Sequence, residues 1–397
     1  MGISVIIPFH NAADTLENAV RSLLRQIFPP QEIILVDDGS SDGSAELAER
    51  LKVSLCGGRS GQEDTKTEEK AAQPAGPRII TIHMQDRGVS AARNAGLAAA
   101  KGDFISFVDA DDTADPRMLS VLMDMHEKSG ADVCGCGFYT CRAKTRAAAE
   151  AGSPKTPSQG KGTEERAGQK GADQDHAGGC GGQDSGAGKG GAPSFSVCAM
   201  DGLQFIRSRL LQHDTRVWGK LYTEKSLRGV RFTDGLTIGE DMLFLLQTAC
   251  AGASFAVTDE PLYCYYINPH GAMERPFTPS FMDQIRCWDL AEKMLQEKAP
   301  AVLADPESAG RLHAIQTVSA VLTASKISSL SRDSQTASRT DTDAFWQMCV
   351  QTVREKAHGA KAMAQMKPYL PAGYPLKIFL LRHAPGLYRA VYGRLRR

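Results

Sequence analysis

Five largely apolar residues, Phe104 to Val108, run straight into Asp109, Asp111 and Asp112. Three carboxylates at the mouth of a buried strand are costly unless something cationic belongs there. Asp109 and Asp111 form a D-x-D pair, two oxygen donors on one side of an extended turn. Such a pair suits Mg2+ or Mn2+, hard ions that take one or two carboxylates and fill their other positions with water and phosphate oxygens. Two further acid groups sit at the ends of apolar runs: Asp37 and Asp38 after "EIILV", and Glu240 with Asp241 before "MLFLL". Read alone, the D-x-D also fits a turn of solvated acids. Glu240 and Asp241 likewise fit the ordinary preference for acids at a helix N-terminus.

Positioning these groups requires a scaffold, and the first 142 residues read as one. "ISVIIPF" (Ile3–Phe9), "EIILVDD", "RIITIHM" (Arg78–Met84) and "FISFVD" are four short apolar strands separated by helical segments. Strands apolar on both faces and alternating with helices predict an α/β fold with a mostly parallel central sheet flanked by helices. In such a sheet the carboxyl ends of the strands line the ligand crevice, so the Asp37 and Asp109 groups should converge. Asp14 with Glu17 predicts a capping-box pair opening the first helix, whose inner face is Leu16, Val20, Leu23, Leu24 and Ile27.

Two stretches interrupt the pattern. Residues 57–77 and 143–193 are rich in Gly, Ala, Ser, Lys and Glu with almost no large apolar side chain. They are expected to be disordered insertions, because they cannot bury enough surface to offset ordering entropy. The organisation predicted is therefore a first half over 1–142, a low-complexity insertion over 143–193, a second half over 194–278, and a helical C-terminal region over 279–397 with a Ser/Thr-rich break at "SSLSRDSQTASRTDTD".

The whole chain has 397 residues, 42% hydrophobic, with a formal net charge of zero, so nothing global points to nucleic acid. The ten cysteines lack metal-finger spacing, apart from one C-x-C in "VCGCG", and are expected to be reduced thiols of a cytoplasmic protein. The N-terminus opens directly into a strand pattern, without the look of a signal peptide, and no apolar run reaches the ~18 residues of a membrane span.

Four motifs together, "SVIIPFHNAADTLENAVRSLLRQ", "EIILVDDGSSDGS", "GVSAARNAGLAAAKGDFISFVDADD" and "GEDMLFLLQ", resemble the family 2 glycosyltransferases of GT-A fold, which are Rossmann-like. The likeness covers roughly Ile3 to Tyr266 and leaves out the tail beyond Pro279. It implies an inverting, hexosyltransferase-type enzyme of bacterial cell-surface glycan synthesis. Such an enzyme moves a sugar from a nucleotide-diphosphate donor, with a lean to UDP, to a glycan or lipid-linked acceptor. By the same likeness Pro8, His10 and Asn11 wall the nucleotide, Asp38 contacts the base and Asp37 supports it. Arg93 and Asn94 lie where the family has donor-side contacts. Asp109 meets the ribose or sugar and shares the metal with Asp111, which holds it on the diphosphate. Asp241 is the implied catalytic base, and Glu240 beside it counts on the acceptor side. Trp218 and Lys220 in "VWGKLY" resemble the acceptor-side segment, and His270 in "INPHGA" is a further candidate metal ligand.

A catalytic Asp is chemically reasonable despite an ordinary pKa near ~4, because it accepts the proton only as the new C–O bond forms. A hydride-transfer enzyme is disfavoured, since "IIPFHNAADT" has no glycine to admit a pyrophosphate. "DADDT" also fits the D-x-D-x-T signature of haloacid-dehalogenase-like phosphatases, although there the motif ends the first strand rather than the fourth. A non-catalytic sugar-nucleotide-binding module is the third reading. After Glu355 no acid follows, while nine Lys and Arg residues do, interleaved with "YPLKIFLLRHAPGLYRAVYGRL". This basic amphipathic tail fits peripheral contact with the inner face of the plasma membrane, or else a helix packed on the domain with a basic outer face.

Overall fold

Side chains alternate across a strand, so the first strands divide their apolar residues between two faces. In the computed structural model, which describes residues 1–56, 76–142, 196–267, 277–330 and 339–395, strand β1 (Ile3–Phe9) sends Ile3, Val5 and Ile7 into one core. Its Ile6 enters another. Strand β2 (Glu32–Asp37) divides in the same way, Ile33 and Leu35 against Ile34 and Val36. Helices α1 (Leu16–Leu24), α2 (Ser44–Cys56) and α4 (Met118–Ser129) cover the first face. Helices α3 (Val89–Ala99), α5 (Gly202–Ser208) and α6 (Glu240–Cys250) cover the second.

The remaining strands are β3 (Arg78–His83), β4 (Phe104–Phe107), β5 (Thr113–Ala114), β6 (Val133–Arg142), β7 (Val197–Met200), β8 (Lys220–Thr223) and β9 (Phe255–Ile267). Among the described residues they form one sheet in the order β3-β2-β1-β4-β8-β6-β9-β5, with β7 also paired to β9. The four strands from β3 to β4 run parallel. Beyond β4 the sheet is mixed: β8 is antiparallel to β4 and β6, while β6 and β9 are parallel. Helix α3 lies close on β1, where a Cβ on Gly96 would fall 2.4 Å from Ile6 Cγ2. Glycine there sets the height of the helix above the sheet.

The predicted cap of α1 does not form. The helix begins at Leu16 with Thr15 at the cap position and no side-chain cap. The preceding N–H groups are satisfied from the next loop instead, Ala12 by Ser44 Oγ at 2.8 Å and Ala13 by Asp42 Oδ2 at 2.9 Å. Glu17 pairs with Arg21 on the solvent side. Ile27, expected on the inner face, lies beyond the helix and is 68% exposed.

The C-terminal region is helical: α7 (Asp283–Lys298), α8 (Pro300–Ala304), α9 (Pro306–Ser328), α10 (Arg339–Lys356), α11 (Gly359–Met366), α12 (Tyr374–His383) and α13 (Pro385–Leu395). Cys287, Trp288, Ala291 and Leu295 of α7 join the sheet's second core, so packing continues across position 278. Helices α9 to α13 close a third core around Trp346, Val353, Ile378 and Tyr388. The insertions at 57–77 and 143–193, apart from residues 76 and 77, lie outside the described residues. So do His270 and positions 331–338 of the Ser/Thr-rich break. No helix among the described residues is long and apolar enough to cross a membrane.

Candidate active site

Strand β1 pairs with β2 on one side and β4 on the other, all parallel. The acids that follow β2 and β4 therefore emerge at the same edge of the sheet, one strand apart, or about 10 Å. Strand order thus brings both acid groups to one edge of the sheet.

On the β2 side the carboxylates organise backbone. Asp38, buried, accepts from Arg87 N–H at 2.9 Å and Gly88 N–H at 2.8 Å. Gly88 takes φ 89°, a left-handed conformation that costs other residues, and hands the chain to α3. Asp37 accepts from Ser40 N–H at 2.9 Å and lies 3.3 Å from His83 Nδ1. His83 Nε2 is in turn 3.1 Å from Glu49. Glu49 and Asp37 together raise the His83 pKa against the opposing effect of burial. His10 Nδ1 lies 2.9 Å from the Asp38 carbonyl oxygen. That oxygen can only accept, so Nδ1 carries the hydrogen and Nε2 accepts from Asn11 Nδ2 at 3.0 Å. Asn11 Oδ1 also accepts from Ser41 N–H at 2.8 Å. Pro8, inside β1 and buried, holds this wall against β2.

After β4 the three acids take different environments. Asp109 is partly open and bonds Arg93 Nη2 at 3.0 Å. Asp112 is buried. It accepts from Tyr263 Oη at 2.9 Å and from Tyr266 N–H at 2.8 Å, while Tyr263 Oη itself accepts from Asp109 N–H at 3.1 Å. Burial, then the Asp109 charge, pushes the Asp112 pKa up to about 8. Asp112 is thus a pin between the acidic turn and β9, not a ligand in waiting. For Asp111 the structure records no hydrogen bond or ion pair to another side chain among the described residues, and burial and Asp109 raise its pKa.

Those observations test the fit of a divalent ion. A desolvated, unpaired carboxylate beside a second carboxylate is relieved by a cation, and both groups offer hard oxygen donors. No group of three or more His, Cys, Asp or Glu able to hold a metal occurs among the described residues. Two carboxylates are what an ion sharing its shell with water and phosphate requires.

Arg93, buried in α3, joins the two halves of the site. Nη1 donates to Asp241 at 2.8 Å and Glu240 at 3.1 Å, and Nη2 donates to Asp109 at 3.0 Å. Its Nε is buried without a partner, and the guanidinium lies 5.3 Å from the Phe232 ring centre. Asp241 and Glu240 open α6, and among the described residues Asp241 Oδ2 accepts only from Val217 N–H, at 3.4 Å. Burial pushes the Asp241 pKa up to about 7, with Arg93 pulling it down and Glu240 and Asp109 pushing it further up. A carboxyl raised in this way can take up a proton near neutral pH.

The other predicted residues are held internally. Asn94 donates to the Phe232 carbonyl at 2.9 Å and accepts from Phe232 N–H at 2.9 Å, so its amide secures a loop. Trp218, 7% exposed, stacks on Tyr263 at 4.3 Å and on Tyr265 at 5.7 Å. Lys220 is buried, with Nζ 2.8 Å from both Asp214 Oδ1 and the Arg216 carbonyl. Sequence reasoning did not single out Tyr263, Asp214 or His83. The alternation in "PLYCYYI" places Tyr263 and Tyr265 on one face of β9, a signal that could have found the first of them.

Residues 4–185, just under half of the chain, match the profile of glycosyl transferase family 2, the family whose GT-A fold the sheet and its four motifs resemble. It is 27% identical to the uncharacterized glycosyltransferase EpsJ of Bacillus subtilis over 291 residues, 72% of this chain and 66% of that one. It is 33% identical to the uncharacterized glycosyltransferase YibD of Escherichia coli over 143 residues, 36% of each chain. With the succinoglycan biosynthesis protein ExoO of Rhizobium meliloti it shares 30% identity over 132 residues, 33% of this chain and 31% of that one. The matches therefore span under two thirds of these relatives' own lengths. Among solved structures, S. aureus TarS 1–349 in complex with UDP-GlcNAc aligns with a TM-score of 0.55 at 16% identity, covering 100% of this chain and 90% of that one.

Proposed function

We propose that the chain is a metal-dependent, inverting glycosyltransferase that moves a sugar from a UDP-sugar to a hydroxyl of a glycan or lipid-linked acceptor. It would act at the cytoplasmic face of the plasma membrane in the synthesis of a cell-surface polysaccharide. One observation carries the reading: a single guanidinium, Arg93, touches both Asp109 of the D-x-D turn and Asp241 at the head of α6. A donor-binding acid and a base for the acceptor are thus held around one point. The lean to UDP is supported by the TarS complex with UDP-GlcNAc, and the polysaccharide context by the ExoO relative.

The residues divide the work between them. The β1 and β2 ends, with Pro8, His10, Asn11, Asp37 and Asp38, would bind the nucleoside. Asp111 and Asp109 would hold Mg2+ or Mn2+, which when bound shields the diphosphate and stabilises it as a leaving group. Asp241 would take the proton of the attacking hydroxyl through Oδ2, the oxygen not committed to Arg93. A single displacement inverts the anomeric centre, and no side chain becomes glycosylated. The phosphatase reading loses ground because the DADDT strand is fourth in the chain and its Asp109 is ion-paired to Arg93.

The deciding experiment is Asp241→Asn, assayed for transfer from a UDP-sugar and for donor-dependent thermal shift. Transfer should fall by roughly 10²- to 10⁴-fold, the usual contribution of a general base, while the shift persists. Wild-type chain that shifts with donor yet neither transfers nor hydrolyses it would favour a non-catalytic binding module.

A further inference from the structure

Helices α12 and α13 turn one face inward. Tyr374, Ile378 and Leu381 enter the third core, at i, i+4 and i+7, and Tyr388 follows with its hydroxyl 2.8 Å from Ser325 Oγ. What remains outside is equally apolar: Leu376 is 61% exposed, Phe379 59%, Leu387 55% and Val391 38%. An isolated exposed leucine needs no explanation, but four large apolar side chains on two adjoining helices mark an interaction surface.

The charge along this stretch of chain has one sign. From Lys356 to Arg397 the chain has nine Lys and Arg and no Asp or Glu. Lys361 and Lys367 are exposed, and Lys377 Nζ lies 4.8 Å from the Tyr374 ring centre and 5.6 Å from that of Tyr392. Among the described residues acids meet this stretch from α7, where Glu292 pairs with Lys356, and from α10, where Asp341 is exposed, Asp343 pairs with Arg389 at 2.8 Å and exposed Glu355 bonds Gln351. They leave a net positive rim. A second copy of the chain would bring a like-charged face against it. An anionic bilayer has the complementary chemistry, phosphates for the rim and acyl chains for the apolar centre.

We propose that the α12–α13 hairpin docks on the surface of an anionic phospholipid bilayer, with Leu376, Phe379, Leu387 and Val391 entering the headgroup–acyl boundary. At 10 and 11 residues these helices lie on the membrane and do not cross it. The buried Tyr374, Ile378, Leu381 and Tyr388 show why truncating the tail is a poor probe: it would open the third core.

The test uses the full chain with vesicles of phosphatidylcholine, with and without phosphatidylglycerol. Wild type should sediment with the anionic vesicles and bind pure phosphatidylcholine at least roughly tenfold more weakly, with binding reduced by salt. The triple variant Leu376→Gln, Phe379→Gln, Leu387→Gln should lose roughly tenfold or more of that binding at unchanged melting temperature, since these side chains are exposed. Lys361→Gln with Lys367→Gln should weaken binding and flatten its salt dependence. Three results would overturn the proposal. Wild type could stay in the supernatant with anionic vesicles, or the triple variant could bind like wild type. Light scattering could also reveal a dimer that the triple variant dissolves, which would assign this face to a second copy.

Discussion

Arg93 Nη1 lies 2.8 Å from Asp241 Oδ1, joining residues 148 positions apart in the chain. The same guanidinium holds Asp109 and Glu240, so it restrains the basicity of Asp241 within a cluster of like charges. Arg93→Gln removes the cation that Asp109, Glu240 and Asp241 share and leaves three acids together. An opposite charge at this range lowers a carboxyl pKa, so its loss raises that of Asp241. The proposed base must be ionised to work, and the acidic limb of the pH–rate profile, near 7 in the wild type from the Asp241 value of about 7, should move up by roughly one unit or more. A variant that lost activity with an unmoved limb would make Arg93 a packing residue only. Arg93→Lys, which keeps the charge but not the fork, should restore part of the shift.

Asp111 combines burial, a neighbouring charge and a raised pKa, a combination that disfavours its ionised form unless a cation is bound. Asp111→Asn should therefore melt slightly higher than wild type without metal. It should lose at least roughly tenfold of its affinity for UDP in Mn2+, read as a diminished thermal shift. Opposite signs in the two measurements distinguish a ligand from a structural acid. A variant less stable in chelator, with an intact response to Mn2+ and UDP, would remove Asp111 from the metal site.

Asp112 makes a linkage prediction. Its folded pKa of about 8 lies above the ordinary 3.8, so the folded chain holds a proton that the unfolded chain releases. The stability this gives is complete below about pH 4 and is lost as pH rises toward 8. In Asp112→Asn the side-chain amide stays neutral at every pH, accepting from Tyr266 N–H and donating to Tyr263 Oη. In chelator, the melting temperature of Asp112→Asn relative to wild type should climb between pH 5 and 8, by on the order of a few degrees. A constant gap across that range would mean Asp112 is ionised throughout.

Much of the donor half was legible because it is local. Apolar runs of strand length, bounded by Pro, Gly or acids, located β1 through β4, and the edge at which their acids emerge follows from strand order alone. Less was legible wherever distant segments decide. The α1 cap failed because Ser44 and Asp42 reach in from another loop. The antiparallel placement of β8 beside β4 has no local signature in "KLYT". Asn94 finds its partner at Phe232, and Lys220 finds Asp214 only once the Asp214–Gly219 segment has folded back. The resemblance sets Arg93 among the donor-side contacts, but only the approach of α6 to α3 brings it to Asp241.

The acidic turn is anchored at both ends before anything binds: Asp109 N–H on Tyr263 Oη, and Asp112 on Tyr266 N–H. Preorganisation of this kind confines the entropic cost of loading the site largely to the Asp111 side chain. That is on the order of 1 kcal/mol, against the 1–2 kcal/mol per residue for ordering a free loop. In the unliganded chain, the amides of Asp109 and Tyr266 should already exchange slowly with deuterated solvent.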